Sequence, residues 1–298
     1  DIIFQYLLGF DIFGLKSSTG EVYSGPFGDE SIAGTYLQRF SLLSFFFFYF
    51  IDFKKNNINK FLLFLIITLH STSILLSGNR MPLLTFLLGC FFVIILVKNF
   101  RFIMSLGMAA FLGIFFIISA NDQIIKSRYS TFFEEINLFK HIKVKISKKN
   151  IESNMTDEKT KTTNSKSHFL YSGHGSLYKT SIYMWKTQPI FGYGFKGFRF
   201  KCWEILVKTN NKKYSCSTHS HNYYFELLSE AGILGLILML TFFGIILKNS
   251  VFYFKKIYKK NDFNFYLFVP IFLVFLMEIW PIRSTGSFFT TWNATFTW

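Results

Sequence analysis

Six long apolar blocks, all but two neighbours of which are separated by short charged or turn-forming stretches, decide what class of fold this chain can adopt. They run from about Ile32 to Ile51, Phe61 to Ser77, Pro82 to Val97, Phe102 to Ser119, Gly232 to Leu247 and Phe263 to Trp280. The blocks are apolar all round rather than striped at helical spacing. Runs of roughly 17–25 such residues are the mark of helices that cross a bilayer. A seventh span is expected to begin near Ser287. The 42 Phe among 298 residues are only supporting evidence, because AT-rich codon usage raises Phe and Lys together. The expected fold is an all-α integral membrane protein with about six to seven transmembrane helices and one large loop outside the bilayer. The chain opens on Asp1 in a polar stretch without a signal-peptide pattern and ends at Trp298 inside an apolar one. It therefore reads as a piece of a longer protein at both ends.

Charge then sets the orientation. The formal net charge is +15, and the positive residues lie between apolar blocks, so orientation and anionic lipid explain them better than nucleic acid does. Lys54, Lys55 and Lys60 share one loop, Lys98 and Arg101 the next but one, and Lys248, Lys255, Lys256, Lys259 and Lys260 a third. These loops alternate so as to share one side, which the positive-inside rule makes the cytoplasm. The other side receives residues 1–31, the "SGNRM" turn, the segment from about Ala120 to Glu230, and the tail after Trp280. That long segment has 18 Lys and Arg against 9 Asp and Glu; long loops translocate largely regardless of charge. Three regions result: 1–119 with the first spans, 120–230 as the outer loop, and 231–298 with the last spans. Within the loop, 140–168 is polar and charged and, after Ile151, poor in large apolar residues, the composition of a mobile stretch. Ser176–Phe200 has a helical apolar pattern through Trp185, then Pro189 and three glycines, which predicts a helix at the membrane surface followed by a tight turn.

The reactive side chains gather at the outer face. "THSHNYYFELLSE" (Thr218–Glu230) stands directly before the fifth apolar block. His219 and His221 are two apart, so they share a face only on an extended segment. Asn222 or Ser220 can cap a helix that starts there. A neutral histidine near pH 7 can take a proton from an attacking hydroxyl. Equally, these are the polar residues and caps that any helix entering a bilayer needs. A metal site is a third reading, weakened by the lack of a third ligand at short range. Arg80, between two apolar blocks, either snorkels to lipid phosphate or holds an anionic ligand, since guanidinium matches phosphate oxygens in bidentate fashion. Arg128 carries the same two readings, and Arg39 and Arg283 also fall near this face. Gly192 and Gly194 of "PIFGYG" permit close backbone approach to a ligand or headgroup. Cys202 and Cys216, both in the outer loop, form a disulfide if that side is oxidising; otherwise they are two unrelated thiols.

Together these pieces resemble the O-antigen ligase and polymerase superfamily of lipid-linked glycan transferases. The ligases share a His followed by Asn, Ser or Gln, nine residues, then Gly-x-x-Gly. Here His221-Asn222, the nine residues Tyr223–Ala231, and Gly232-Ile233-Leu234-Gly235 fit that spacing. "PIFGYG", "SGNR" and a large periplasmic loop before the penultimate spans are also similar to family features. The resemblance implies a GT-C-like architecture in the bacterial inner membrane, with the active site facing the periplasm. It implies a metal-independent, inverting transfer, with no cofactor, from an undecaprenyl-pyrophosphate-linked glycan donor to lipid A–core or a growing glycan. His221 would activate the acceptor hydroxyl, Asn222 would orient the histidine or the sugar, and His219 lies beside them. Arg80 would hold the pyrophosphate, with Arg128 as a second arginine. Many members carry an Arg at the start of the surface helix where this chain reads "SGHGSLYK", so either His174 or Lys179 would substitute or the anion site would rest on fewer arginines. The rival class is a transporter or flippase for lipid-linked or anionic sugars, which needs charged residues inside the spans; the spans here are nearly free of them, Glu278 being the clear exception.

Overall fold

A computed structural model describes residues 1–17, 22–28, 30–47, 57–136, 173–210, 213–260, 263–281, 283–284 and 286–290. Eleven α-helices are present among them: α1 Ile2–Leu8, α2 Ala33–Phe47, α3 Asn57–Leu76, α4 Arg80–Leu96, α5 Arg101–Asn121, α6 Gln123–Ile136, α7 Gly173–Thr187, α8 Gly197–Thr209, α9 Tyr223–Glu230, α10 Gly232–Tyr258 and α11 Phe263–Glu278. One antiparallel bridge, Phe10 to Lys16, is the extent of β pairing among the described residues. Each of the six apolar blocks falls on a helix. Of these, α3, α5 and α10 are long and apolar enough to cross a membrane, while α4 and α11 are apolar but shorter. Ser287–Thr290 is a turn; the seventh span expected from there, the loop lysines Lys54 and Lys55, and the polar stretch 140–168 lie outside the described residues.

The chain divides into two compact units, Asp1–Ser130 with Ile246–Arg283, and Thr131–Ile245 with Ser284–Trp298. In the first, α3 packs on α2 and α5, and α11 on α2 and α4. Their shared core includes Leu42, Phe45, Phe46, Ile67, Phe86, Phe100, Tyr266 and Leu273. Two glycines let the helices approach. A methyl added at Gly89 would sit 2.6 Å from Met277 Sδ, and one at Gly107 would sit 2.7 Å from Ile67 Cγ2; small residues at such crossings are how helices pack tightly in lipid. The outward surface is apolar too. On α5, Phe102, Leu106, Leu112, Phe116 and Ile117 are all exposed, an arrangement suited to a hydrocarbon solvent and unfavourable in water.

In the second unit α7, α8 and α9 enclose a small core of Leu177, Met184, Phe198, Cys202 and Ile205. Tyr178 of α7 stacks on Phe225 of α9, ring centroids 4.6 Å apart. Thr180 fixes the returning loop twice over: its hydroxyl donates to the Ser215 carbonyl (2.8 Å) and accepts from the Ser215 N–H (3.1 Å). Cys202 and Cys216 are joined as a disulfide, Cα atoms 5.4 Å apart.

Candidate active site

The segment Cys216–Asn222 is held at both ends. The disulfide to α8 secures the start, and Asn222 secures the finish as the N-cap of α9. Its backbone is extended and its side-chain oxygen accepts from the N–H groups of Tyr224 (3.0 Å) and Phe225 (3.3 Å), satisfying donors that a helix start leaves open. Ser220 closes the turn by donating to the Asn222 carbonyl, 3.0 Å. Between these anchors His221 has φ +57, a left-handed conformation that side chains larger than glycine rarely adopt, histidine more readily than most. The strain turns its ring toward two others: His219 lies 4.1 Å away and His174, at the start of α7, 5.2 Å, centroid to centroid. Ser217 Oγ lies 3.4 Å from His221 Nε2, and Thr218 Oγ1 2.9 Å from His219 Nδ1. His221, half-buried, thus has two imidazole neighbours, and a neutral imidazole is a group that can take up a proton near pH 7. Among the described residues, no group of three or more His, Cys, Asp or Glu is arranged to hold a metal ion.

The glycines of the Pro189–Gly194 turn make their close approach to this chain's own backbone. Tyr193 N–H donates to the Ser229 carbonyl (3.1 Å), Gly194 N–H to Glu230 (2.8 Å), and Ile233 N–H to Pro189 (2.9 Å). Gly192 and Gly232 both have positive φ, and a methyl on Gly192 would fall 2.5 Å from the Glu230 carbonyl carbon. The turn thus clamps the junction between α9 and α10. Glu230 completes the clamp: its buried carboxylate accepts from the N–H groups of Lys196 (2.7 Å) and Phe198 (3.2 Å) at the start of α8. One turn earlier, Glu226 accepts from Ser287 Oγ and from the Phe288 N–H (2.8 Å), tying α9 to the 286–290 turn. Burial pushes the Glu226 carboxyl up to about 7 against those two hydrogen bonds, with the Glu230 charge adding to the rise. Burial also raises Glu230, opposed by its hydrogen bonds and by Arg199 and Lys196. In the sequence both acids look like ordinary members of a helix start. Their signal was two acids four apart on a short helix whose neighbours are apolar.

The four arginines that the sequence singles out, Arg39, Arg80, Arg128 and Arg283, belong to the first unit and fall into two groups. Arg80 opens α4 and Arg128 lies on α6, both half-buried. A methyl on Gly78 of the "SGNR" turn would fall 2.5 Å from an Arg128 Nη. Both guanidiniums act on Tyr129, whose burial raises its pKa while the charges of Arg128 and Arg80 pull it down. Arg39 lies elsewhere, drawn into the bundle. Its Nε and an Nη donate to the two oxygens of Glu278 (3.0 and 2.6 Å), and Arg283 donates to the same carboxylate (2.7 Å). All three residues are buried. The acid that stands out in the last apolar block is therefore the centre of an ion network.

The family model Wzy_C, described as O-antigen ligase, matches residues 61–240, more than half of the chain. The chain belongs to the O-antigen ligase family. No curated protein and no solved structure matches it. The matched stretch of this O-antigen ligase family member takes in Arg80, Arg128, the three histidines and the glycine clamp, and leaves out Arg39, Glu278 and Arg283. Membership, with its apolar helices, makes the chain a membrane protein of O-antigen ligase and polymerase-type glycan transfer.

Proposed function

We propose that this is a multi-pass glycosyltransferase of the bacterial inner membrane, GT-C-like in architecture, working on the periplasmic face. It would move a glycan from undecaprenyl pyrophosphate to a hydroxyl of lipid A–core or of a growing glycan. The observation that carries the reading is His221: a strained imidazole, flanked by two others and fixed between a disulfide and a helix cap. In the reaction a His221 nitrogen takes the acceptor hydroxyl's proton as that oxygen attacks the anomeric carbon. The carbon–oxygen bond to pyrophosphate breaks as the new glycosidic bond forms, inverting the centre. The leaving pyrophosphate carries the departing electrons, and fixed positive charge lowers that barrier. Arg80 and Arg128 have the chemistry for this, and His174 or Lys179 stands where relatives carry a further arginine. Arg39 is committed to Glu278 and falls outside the reading, as does the transporter alternative, whose in-span acid is already paired with two arginines.

The test uses the gene in its own host with His221→Ala and Arg80→Ala made separately. Surface polysaccharide is run on a gel and membrane levels are checked by blot. The long-chain ladder should fade with His221→Ala, consistent with a loss of about 10²–10⁴-fold for a general base, while the protein stays in the membrane. Lipid-linked intermediates would then tell ligase from polymerase. An intact ladder in both variants would sink the reading.

A further inference from the structure

Helix α8 is apolar on two opposite faces. One face puts Phe198, Cys202 and Ile205 into the core of the second unit. The other turns Phe200, Trp203 and Val207 outward, 68%, 60% and 83% exposed, on one stripe by their i, i+3, i+7 spacing. Phe191 and Phe195 of the preceding turn are exposed as well. Arg199, Lys201 and Lys208 border the stripe. Glu204, on the same side, is paired with Lys201 at 2.9 Å. Aromatic and aliphatic side chains along one face with basic borders are the pattern of a helix lying in the plane of a bilayer interface.

Height fixes the occupant. The turn that carries Phe191 is joined to the first turn of α10 by backbone hydrogen bonds, Ile233 N–H to Pro189 and Leu234 N–H to Ile190 (2.9 and 3.4 Å). Helix α10 is long and apolar enough to cross a membrane, and its Leu234, Ile237 and Leu238 are exposed. Phe191 therefore lies level with the point where a crossing helix enters lipid, and α8 starts a few residues later, at Gly197. We propose that Phe200, Trp203 and Val207, with Phe191 and Phe195, dock in the headgroup–acyl boundary of the leaflet that α10 enters, with Arg199, Lys201 and Lys208 toward anionic headgroups. Cys202 ties this helix to Cys216, so the docked helix sets the depth of the His221 segment. That last consequence rests on the proposed function; the docking itself does not.

The experiment puts an environment-sensitive fluorophore at Val207→Cys in the whole chain. Cys90 is buried and the other two cysteines are paired, so the label goes to the new thiol. The protein is placed, one copy per disc, in nanodiscs of phosphatidylcholine and phosphatidylglycerol. Expected is strong quenching by nitroxide-bearing lipids and protection from aqueous iodide, both weaker without phosphatidylglycerol. The reverse pattern, iodide quenching without lipid quenching, overturns the proposal. Protection that appears only with two copies per disc overturns it in favour of self-association, and protection that requires added polyprenyl phosphate overturns it in favour of a carrier-lipid site. Equal quenching in phosphatidylcholine alone overturns the role of the basic border. Trp203→Glu, with the label at Phe200→Cys, should lose the lipid quenching; retention overturns the stripe as anchor.

Discussion

Glu278 and Glu226 are both buried carboxylates, and their surroundings differ in kind. At the end of α11, Glu278 sits between two guanidiniums, one of them donating to both of its oxygens. On α9, Glu226 is held by a hydroxyl and a backbone N–H, with another acid one turn away. The first arrangement binds by charge and joins residues from α2, α11 and the segment that follows α11. The second binds by geometry alone and leaves a carboxyl that titrates near neutrality. The bundle unit is therefore fixed by a charge network and apolar packing. The second unit is fixed by caps, a disulfide and hydrogen bonds that pH can alter.

The largest effect should come from breaking the charge network. Glu278→Ala leaves two buried guanidiniums without a counter-charge, a loss of about 3–5 kcal/mol, read as a lower Tm of the detergent-purified protein. Replacing Arg39, Glu278 and Arg283 together by Met should cost much less, because no orphaned charge remains; a triple variant as unstable as the single one would break the comparison. Next is Cys202→Ser, which opens a loop closed across a sequence separation of 14 and should remove about 3 kcal/mol by chain entropy. The loss should be confined to the second unit, so protease cleavage between 203 and 216 should rise while the bundle stays protected. The smallest effect belongs to Glu226→Gln at acidic pH. With its pKa raised from 4.5 to about 7, the folded state binds more protons than the unfolded one over that window. Its stabilisation is full below about 4.5 and is lost as pH rises through about 7. Melting curves of the parent should therefore fall across this window from this group, and Glu226→Gln should flatten the slope; an unchanged slope would remove Glu226 as the cause.

The helices were legible because apolar blocks signal themselves within the block: every one became a helix. The His-Asn cap was legible for the same reason, since Asn222 bonds to residues two and three ahead. What escaped were contacts between distant residues. Nothing in "GTYLQRF" says that Arg39 meets an acid 239 residues later; the sequence places it only near the outer end of its apolar block. His174 meets His221 only because α7 and α9 pack together. The glycines of "PIFGYG" announced a close approach without saying to what, and the answer was the backbone at Gly232. The outward stripe of α8 was hidden because its opposite faces are both apolar, which reads as core on each side.

The clamp at Gly232 has a consequence for how this molecule tolerates change. The turn grips the start of α10 through carbonyls and N–H groups, so the grip does not depend on which side chains stand at Ile190, Phe191 or Tyr193. A saturation scan of Pro189–Gly194 should return an uneven map: intolerant at Gly192, where a methyl meets the opposing main chain, and permissive at the positions between. Corners built this way let an enzyme alter what it touches there without loosening how it is held.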